Sequence, residues 1–128
     1  MRVAILDDWH DTLRTLPSFA LLDGHDVSVF TDHMTDGTEL ARRLSDMDAL
    51  VLIRERTQIR RPLIERLGKL RLISQRSVYP HIDIEACTSA GIIVSSNMHA
   101  GEPSHPTAEL TWALILASAR AVPQQMAA

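Results

Sequence analysis

Short apolar runs recur along the chain, each long enough for a buried β-strand and too short for an ordinary helix. Residues 49–53, Ala-Leu-Val-Leu-Ile, are apolar at every position. Strands of a parallel sheet have this composition when helices cover both faces of the sheet. The pattern predicts five buried strands, over residues 3–6, 27–30, 49–53, 70–74 and 92–95.

A helix is predicted in each interval between these strands. Several carry start or stop signals, such as Asp36 or Thr38 at the start of the second helix and Gly91 after the fourth. Pro17 interrupts the helical spacing of the first. The predicted helices cover residues 13–22, 40–44, 63–67 and 82–90.

The alternation of strands and helices predicts an α/β protein. Connections of this kind are right-handed and place successive strands parallel in one sheet. Five strands within residues 1–102 predict a flavodoxin-like, doubly wound parallel sheet with the strand order 2-1-3-4-5. Ligands of such sheets bind beyond the carboxyl ends of the strands, so the residues at those ends are the first candidates for a site.

The segment from Thr107 to Arg120 differs from the other helices because it is apolar almost all round. Such a helix is expected to be buried on nearly all sides, and one sheet covers only one face. We therefore predict a sheet domain, residues 1–102, followed by a long apolar helix with its flanks, residues 103–128. The remaining faces predict contact with a further domain or a partner. We expect a homodimer that forms through this helix.

Composition narrows the class of protein. The 128 residues are 45% hydrophobic, enough for one ordinary core. The net charge is −3 and the arginines are scattered, which argues against a nucleic-acid partner. The single cysteine, Cys87, suits a reducing compartment and is expected in the core. Because no apolar leader or run of about 18 apolar residues occurs, we expect a cytoplasmic protein without a membrane partner.

Three arginines follow the third and fourth predicted strands: Arg54, Arg56 and Arg76. The guanidinium group recognises carboxylates with a planar pair of donors. A small carboxylate is therefore a natural ligand for this edge of the predicted sheet. The alternative is that these are solvated surface residues, or that they pair with neighbouring carboxylates such as Asp7 and Asp8.

Other kinds of site have less support. Asp7 and Asp8 could hold a metal as in a receiver domain, but no aspartate follows the third strand and no lysine the fifth. His81, His99 and His105 lack the spacing of a metal site. The glycines never form the dinucleotide fingerprint G-x-G-x-x-G, because they stand at positions 24, 37, 68, 91 and 101.

Three stretches together resemble the D-isomer-specific 2-hydroxyacid dehydrogenases: DALVLIRERTQI (48–59), LRLISQRSVYPHIDIEACTSAGIIVSS (70–96) and TAELTWALILASAR (107–120). The resemblance implies a two-domain enzyme that uses NAD or NADP to interconvert 2-hydroxy and 2-oxo acids. Its flavodoxin-like domain binds the substrate. The long helix crosses into a Rossmann domain, which carries the cofactor and the catalytic arginine, glutamate and histidine.

The resemblance also implies what this chain lacks. The sequence ends before the cofactor fingerprint and the catalytic residues of the family. We therefore expect the isolated chain to contain no catalytic residue, to be inactive and to bind no cofactor alone. Only Ser104 and Thr107 are weak candidates for a cofactor contact. The alternative is a stand-alone module that binds a small carboxylate or associates with itself, without catalysis.

The loop after the fourth strand is where the resemblance assigns the substrate. Family members commonly have glycines here, whose backbone N–H groups hold the substrate carboxylate. In this chain Arg76 and Val78 stand where those glycines commonly fall. The resemblance implies that a 2-hydroxy or 2-oxo acid contacts Arg54, Arg76 and the amides of Ser77 and Val78. A possible substrate rim comprises Arg56, Tyr79, His81 and Asn97.

Overall fold

The computed structural model describes residues 1–76, 78–97 and 105–126. Its centre is a parallel sheet with the strand order β2-β1-β3-β4-β5. The predicted α/β class, parallel sheet and strand order are therefore confirmed. The strands are β1 (Arg2–Ile5), β2 (Asp26–Val29), β3 (Ala49–Leu52), β4 (Leu72–Gln75) and β5 (Ile93–Ser96).

The core forms where the three inner strands meet the helices. Leu50 of β3 lies in register with Ala4 of β1 and Ile73 of β4, and all three side chains are fully buried. Burying a leucine or isoleucine contributes about 1.5–3 kcal/mol. Cys87 is also fully buried, as predicted, and this burial raises the pKa of its thiol.

In the described part of the chain, five α-helices accompany the sheet: α1 (Gly37–Leu44), α2 (Arg61–Ile64), α3 (Ile84–Ser89), α4 (Pro106–Ala119) and α5 (Val122–Met126). The cap predicted for α1 is confirmed at Asp36. Its carboxylate accepts hydrogen bonds from the N–H groups of Thr38 and Glu39, at 2.8 and 2.9 Å. This contact satisfies two amides that the first turn leaves without a helical partner.

The third helix begins later than the sequence pattern indicates. Ile82 was predicted as its first residue, but it lies in a parallel β-bridge with Ile59, outside the named strands. The bridge holds this residue extended, so α3 begins at Ile84. Asp83 caps it by accepting the N–H of Ala86 at 2.8 Å.

The predicted first α-helix is wrong. Residues Leu13–Thr15 and Pro17–Leu22 form two 3-10 helices that bury no side chain fully. Pro17 has no backbone N–H to continue a helix across it. The carboxylate of Asp8 binds the N–H groups of Thr12 and Leu13, at 3.0 and 2.8 Å, which anchors the start of this crossover.

Helix α4 lies apart from the core. None of its side chains is buried, and among the described elements α5 is the one with which it makes extensive contact. Its exposed apolar side chains are Leu110, Trp112, Leu114, Ile115 and Leu116, each at least half exposed. Within the described residues, the helices lack the length and apolar character needed to cross a membrane.

Candidate functional site

The candidate site residues lie at the carboxyl edge of the sheet. Asp7 and Asp8 follow β1, residues 54–58 follow β3, and residues 76–81 follow β4. We call residues 76–81 the β4 loop. Because the strands are parallel and neighbouring, these segments emerge on one side of the molecule.

Asp7 is the centre of a buried hydrogen-bond network. Its side chain is only 3% exposed, and its carboxylate accepts from the hydroxyl of Thr57 at 2.6 Å. Nδ1 of His33 lies 2.8 Å from the other carboxylate oxygen. The backbone of Asp7 has a positive φ of 61°, a conformation that aspartate tolerates better than most residues. We call Asp7, His33, Arg56 and Thr57 the Asp7 network.

Arg56 belongs to this network. Its Nη1 donates to the backbone carbonyl of Asp7 at 2.6 Å. Its guanidinium lies over the ring of Trp9, 4.1 Å from the centroid, a favourable cation–π geometry. Of the three arginines predicted to share one edge, Arg56 is therefore already engaged by the fold.

Arg54 and Arg76 are different. Both are exposed, and no hydrogen bond or ion pair engages either guanidinium in the part of the chain that the structure describes. Arg54 also has a positive φ of 59°, which costs about 1 kcal/mol for a residue with a side chain. The chain thus holds an unpaired arginine in an unfavourable backbone conformation at the end of β3.

The β4 loop is supported from below by Gln75. This side chain is buried, and its Nε2 donates to the carbonyls of Arg76 and Val78, at 2.9 and 3.0 Å. Both carbonyls therefore point towards the protein. In a trans peptide the N–H points away from the C=O, so the N–H of Tyr79 is turned in the opposite direction. Ser77, a predicted ligand contact, lies outside the described residues.

The far end of the loop is pinned to the segment that follows β3. The N–H of Ile59 donates to the carbonyl of His81 at 3.0 Å, and the N–H of Asp83 donates back to Ile59 at 2.9 Å. Tyr79 packs against the core. The loop is consequently fixed at both ends, by Gln75 and by this bridge.

His81, which was predicted at the substrate rim, is a buried residue at the end of the β4 loop. The bridge to Ile59 draws the chain inward at this position, and only 2% of the residue is exposed. Neither ring nitrogen has a hydrogen-bond partner among the described residues. Burial lowers the pKa of His81, because a charged imidazole loses hydration in the interior.

The other predicted contact residues lie on exposed loops and at a helix start, or outside the described residues. Val78 is 42% exposed on the loop. Asn97 is exposed directly after β5, and Thr107 is exposed in the first turn of α4. Ser104 lies outside the described residues. Among the described residues, no group of histidine, cysteine, aspartate or glutamate is arranged to hold a metal.

The glycine spacing of a dinucleotide-binding loop does not occur in this sequence. None of the five glycines follows a strand with the spacing of a phosphate-binding fingerprint. Glycines 24 and 91, which have positive φ, stand in turns that lead into β2 and β5, at the amino edge.

The sequence pattern did not predict two features of this edge of the sheet. The support that Gln75 gives the β4 loop was not expected, and neither was the network joining Asp7, His33 and Thr57. The sequence does contain an indication for Gln75, because a large polar side chain closes a strand that begins with Leu72 and Ile73. For His33 and Thr57 there was none, because 24 residues separate them along the chain.

Comparisons with known proteins identify the family. A family model described as "D-isomer specific 2-hydroxyacid dehydrogenase, catalytic domain" matches residues 3–127. A D-3-phosphoglycerate dehydrogenase of Methanocaldococcus jannaschii is 42% identical over 90 residues, which are 70% of this chain and 17% of the relative. A glyoxylate reductase of Aeropyrum pernix is 37% identical over 101 residues, 77% of this chain and 29% of the relative.

A solved structure agrees. A phosphoglycerate oxidoreductase from Vibrio cholerae is similar with a TM-score of 0.82 and 48% identity, over 96% of this chain and 38% of that one. The chain thus spans well under half the length of these relatives. The family match over residues 3–127 nevertheless covers nearly the whole sequence. The chain belongs to the D-isomer-specific 2-hydroxyacid dehydrogenase family.

Proposed function

We propose that the chain is the substrate-binding portion of an NAD(P)-dependent D-2-hydroxyacid dehydrogenase, and that a 2-hydroxy or 2-oxo acid binds at the β4 loop. The observation that carries the proposal is the pair of exposed arginines, Arg54 and Arg76. Neither contacts a carboxylate among the described residues. A substrate carboxylate would supply the missing anion, and family membership supports the same class of ligand.

The loop backbone would complete the contact. Gln75 holds two carbonyls of the loop inward, which leaves the N–H of Tyr79 on the other side, without a partner among the described residues. We therefore add this amide to the predicted donors Ser77 and Val78. Charge-assisted hydrogen bonds from amides and a guanidinium would orient the acid. Arg56, His81 and Asn97 stay predicted neighbours of the site.

The redox step is also part of the proposal. The relatives named above are two to six times longer than the region they share with this chain. In a full-length family enzyme, NAD or NADP would supply the hydride chemistry. The residues of this chain would bind and orient the acid. We expect the 128-residue chain to show no NADH-dependent reduction of glyoxylate and to reside in the cytoplasm.

Calorimetric titration with glyoxylate tests the carboxylate site. We expect saturable heat with the unmodified chain and an affinity about tenfold lower in the Arg76→Gln variant, because one charge-assisted contact is lost. Arg71→Gln is the matched control, since Arg71 is exposed at the amino end of β4. Equal affinities in the Arg76 variant and the unmodified chain, or no saturable heat, would refute the proposal.

A second candidate is a self-associating module, which the exposure of α4 favours. Leu114 is 59% exposed and Trp112 is 64% exposed on this helix. An apolar stripe of this kind is costly in water. We propose that two copies bury α4 against each other, as a symmetric dimer would.

Light scattering at micromolar concentrations separates this candidate from a monomeric binding domain. We expect a dimer that Leu114→Glu converts to a monomer, because a charge is placed on the buried stripe. Leu21→Glu is the control, since Leu21 is 84% exposed on the first crossover and should not change the mass. A monomeric unmodified chain would exclude the dimer.

A further inference from the structure

A cavity of about 570 Å³ opens between the segment after β2 and the segment after β3. One wall is formed by residues 33–38, up to the start of α1. The other is formed by residues 56–66, through α2. No described residue of the β4 loop lines it. Its size suits a small metabolite.

The lining of the cavity carries an excess of positive charge. Among the described residues, three arginines line it, Arg56, Arg60 and Arg66, against one carboxylate, Asp36. That carboxylate already accepts the N–H groups at the start of α1. Arg56 is held by the Asp7 network. Two arginines therefore remain available to a ligand.

The partners of these two arginines are neutral. Arg60 donates to the amide oxygen of Gln58 at 3.1 Å, and Arg66 donates to the hydroxyl of Thr38 at 3.3 Å. Other arginines on this side of the molecule pair with carboxylates, as Arg42 does with Glu39 and Arg43 with Asp32. Uncompensated guanidinium groups that line one cavity favour an anion there.

His33 supplies a third donor or acceptor, from a different direction. Its Nδ1 contacts the carboxylate of Asp7, and its side chain is 35% exposed. Nε2 has no partner among the described residues, and the residue lines the cavity. An imidazole whose Nδ1 is held by a buried carboxylate has a fixed ring orientation.

We propose that this cavity binds the phosphate group of a small molecule, through Arg60, Arg66 and His33. The three groups belong to two chain segments, with His33 after β2 and with Arg60 and Arg66 at the two ends of α2. A tetrahedral phosphate presents oxygens in several directions and suits such donors. A planar carboxylate suits the two parallel donors of one guanidinium better. The inference does not rest on the function proposed for the β4 loop.

Titration with inorganic phosphate at constant ionic strength, followed by ¹H–¹⁵N NMR of the 128-residue chain, tests the proposal. We expect saturable shifts of amides in residues 33–38 and 56–66. The double variant Arg60→Gln, Arg66→Gln should raise the dissociation constant at least about tenfold, while Arg71→Gln should leave it unchanged. Acetate, the carboxylate arm, should not saturate over the same range.

Three results would overturn the proposal: shifts that never saturate, saturation that survives in the double variant, or equal saturation by acetate. Unchanged spectra away from the cavity show that a variant is folded. If the double variant does not fold, Arg60→Gln alone decides by the same criterion, since that arginine is exposed. Glyoxylate bound at the β4 loop would instead shift residues 76–82, so the two proposals can fail independently.

Discussion

Two regions of the carboxyl edge differ in whether their buried polar groups have hydrogen-bond partners. At the Asp7 network, both carboxylate oxygens and the carbonyl of Asp7 have partners. Beneath the β4 loop, Oε1 of Gln75 and both nitrogens of His81 are buried without a partner among the described residues. An unpaired buried group costs about 1–3 kcal/mol. The Asp7 network thus supports the fold, whereas the region beneath the β4 loop keeps unsatisfied groups next to the proposed substrate site.

Breaking the Asp7 network should have the largest effect. Asp7→Ala leaves the hydroxyl of Thr57 and Nδ1 of His33 without their acceptor, and it places alanine at a positive φ. We expect the free energy of unfolding to fall by about 3 kcal/mol, measured by urea denaturation. Asp7→Asn, which keeps one acceptor oxygen and tolerates this backbone, should lose only about 1 kcal/mol. Equal losses would contradict the network interpretation.

The free energy of unfolding should depend on pH because of the buried His81. Burial holds its folded-state pKa below the ordinary value of 6.5, so the unfolded chain binds the proton first as pH falls. The stabilisation is complete above about pH 6.5 and is lost as pH falls below it. We expect the free energy of unfolding to decline more steeply than in His81→Leu, by at most about 1.4 kcal/mol per pH unit. Parallel slopes for the two proteins would argue against a buried neutral imidazole.

Removing Gln75 should loosen the loop more than it destabilises the fold. Gln75→Leu loses two hydrogen bonds to loop carbonyls, but it also removes the unpaired Oε1. We expect a loss of about 1 kcal/mol and faster hydrogen exchange at the amides of Ile59 and Asp83, whose hydrogen bonds fix the end of the loop. Unchanged exchange there would show that Gln75 does not support the loop.

Replacing Arg54 should change the free energy of unfolding least, and it tests whether the positive φ of this residue destabilises the fold. Glycine adopts its positive φ of 59° without steric cost, although glycine also gains entropy in the unfolded chain. We expect Arg54→Gly to raise the free energy of unfolding by about 0.5 kcal/mol. Glyoxylate binding should weaken in the same variant. A stabilised variant with undiminished affinity would remove Arg54 from the site.

Much of the fold was predictable because buried strands have short, continuously apolar sequences. The run from Ala49 to Leu52 is apolar at every position and forms β3, the central strand. The first crossover was not predictable from spacing alone. Its apolar residues repeat as in a helix, but Pro17 and the carboxylate of Asp8 set the local hydrogen bonding.

The placement of the candidate residues at this edge was predictable from the sequence, because the ends of parallel strands share one edge. Arg54 and Arg76 are exposed at the expected edge, and their contact with a ligand stays a prediction. The difference between them and Arg56 could not be read from the residues. It arises because Arg56 reaches a carbonyl 49 residues earlier in the chain.

The sequence by itself determined the sheet, its strand order and the family, since these follow from local apolar runs and from motifs that lie together in the chain. Only the tertiary structure decided which polar groups are paired. His33 meets Asp7, Ile59 meets His81, and Arg66 meets Thr38 across 22 to 28 residues. Hydrogen bonds depend on distances of a few tenths of an ångström, and such distances exist only once the strands and helices have packed.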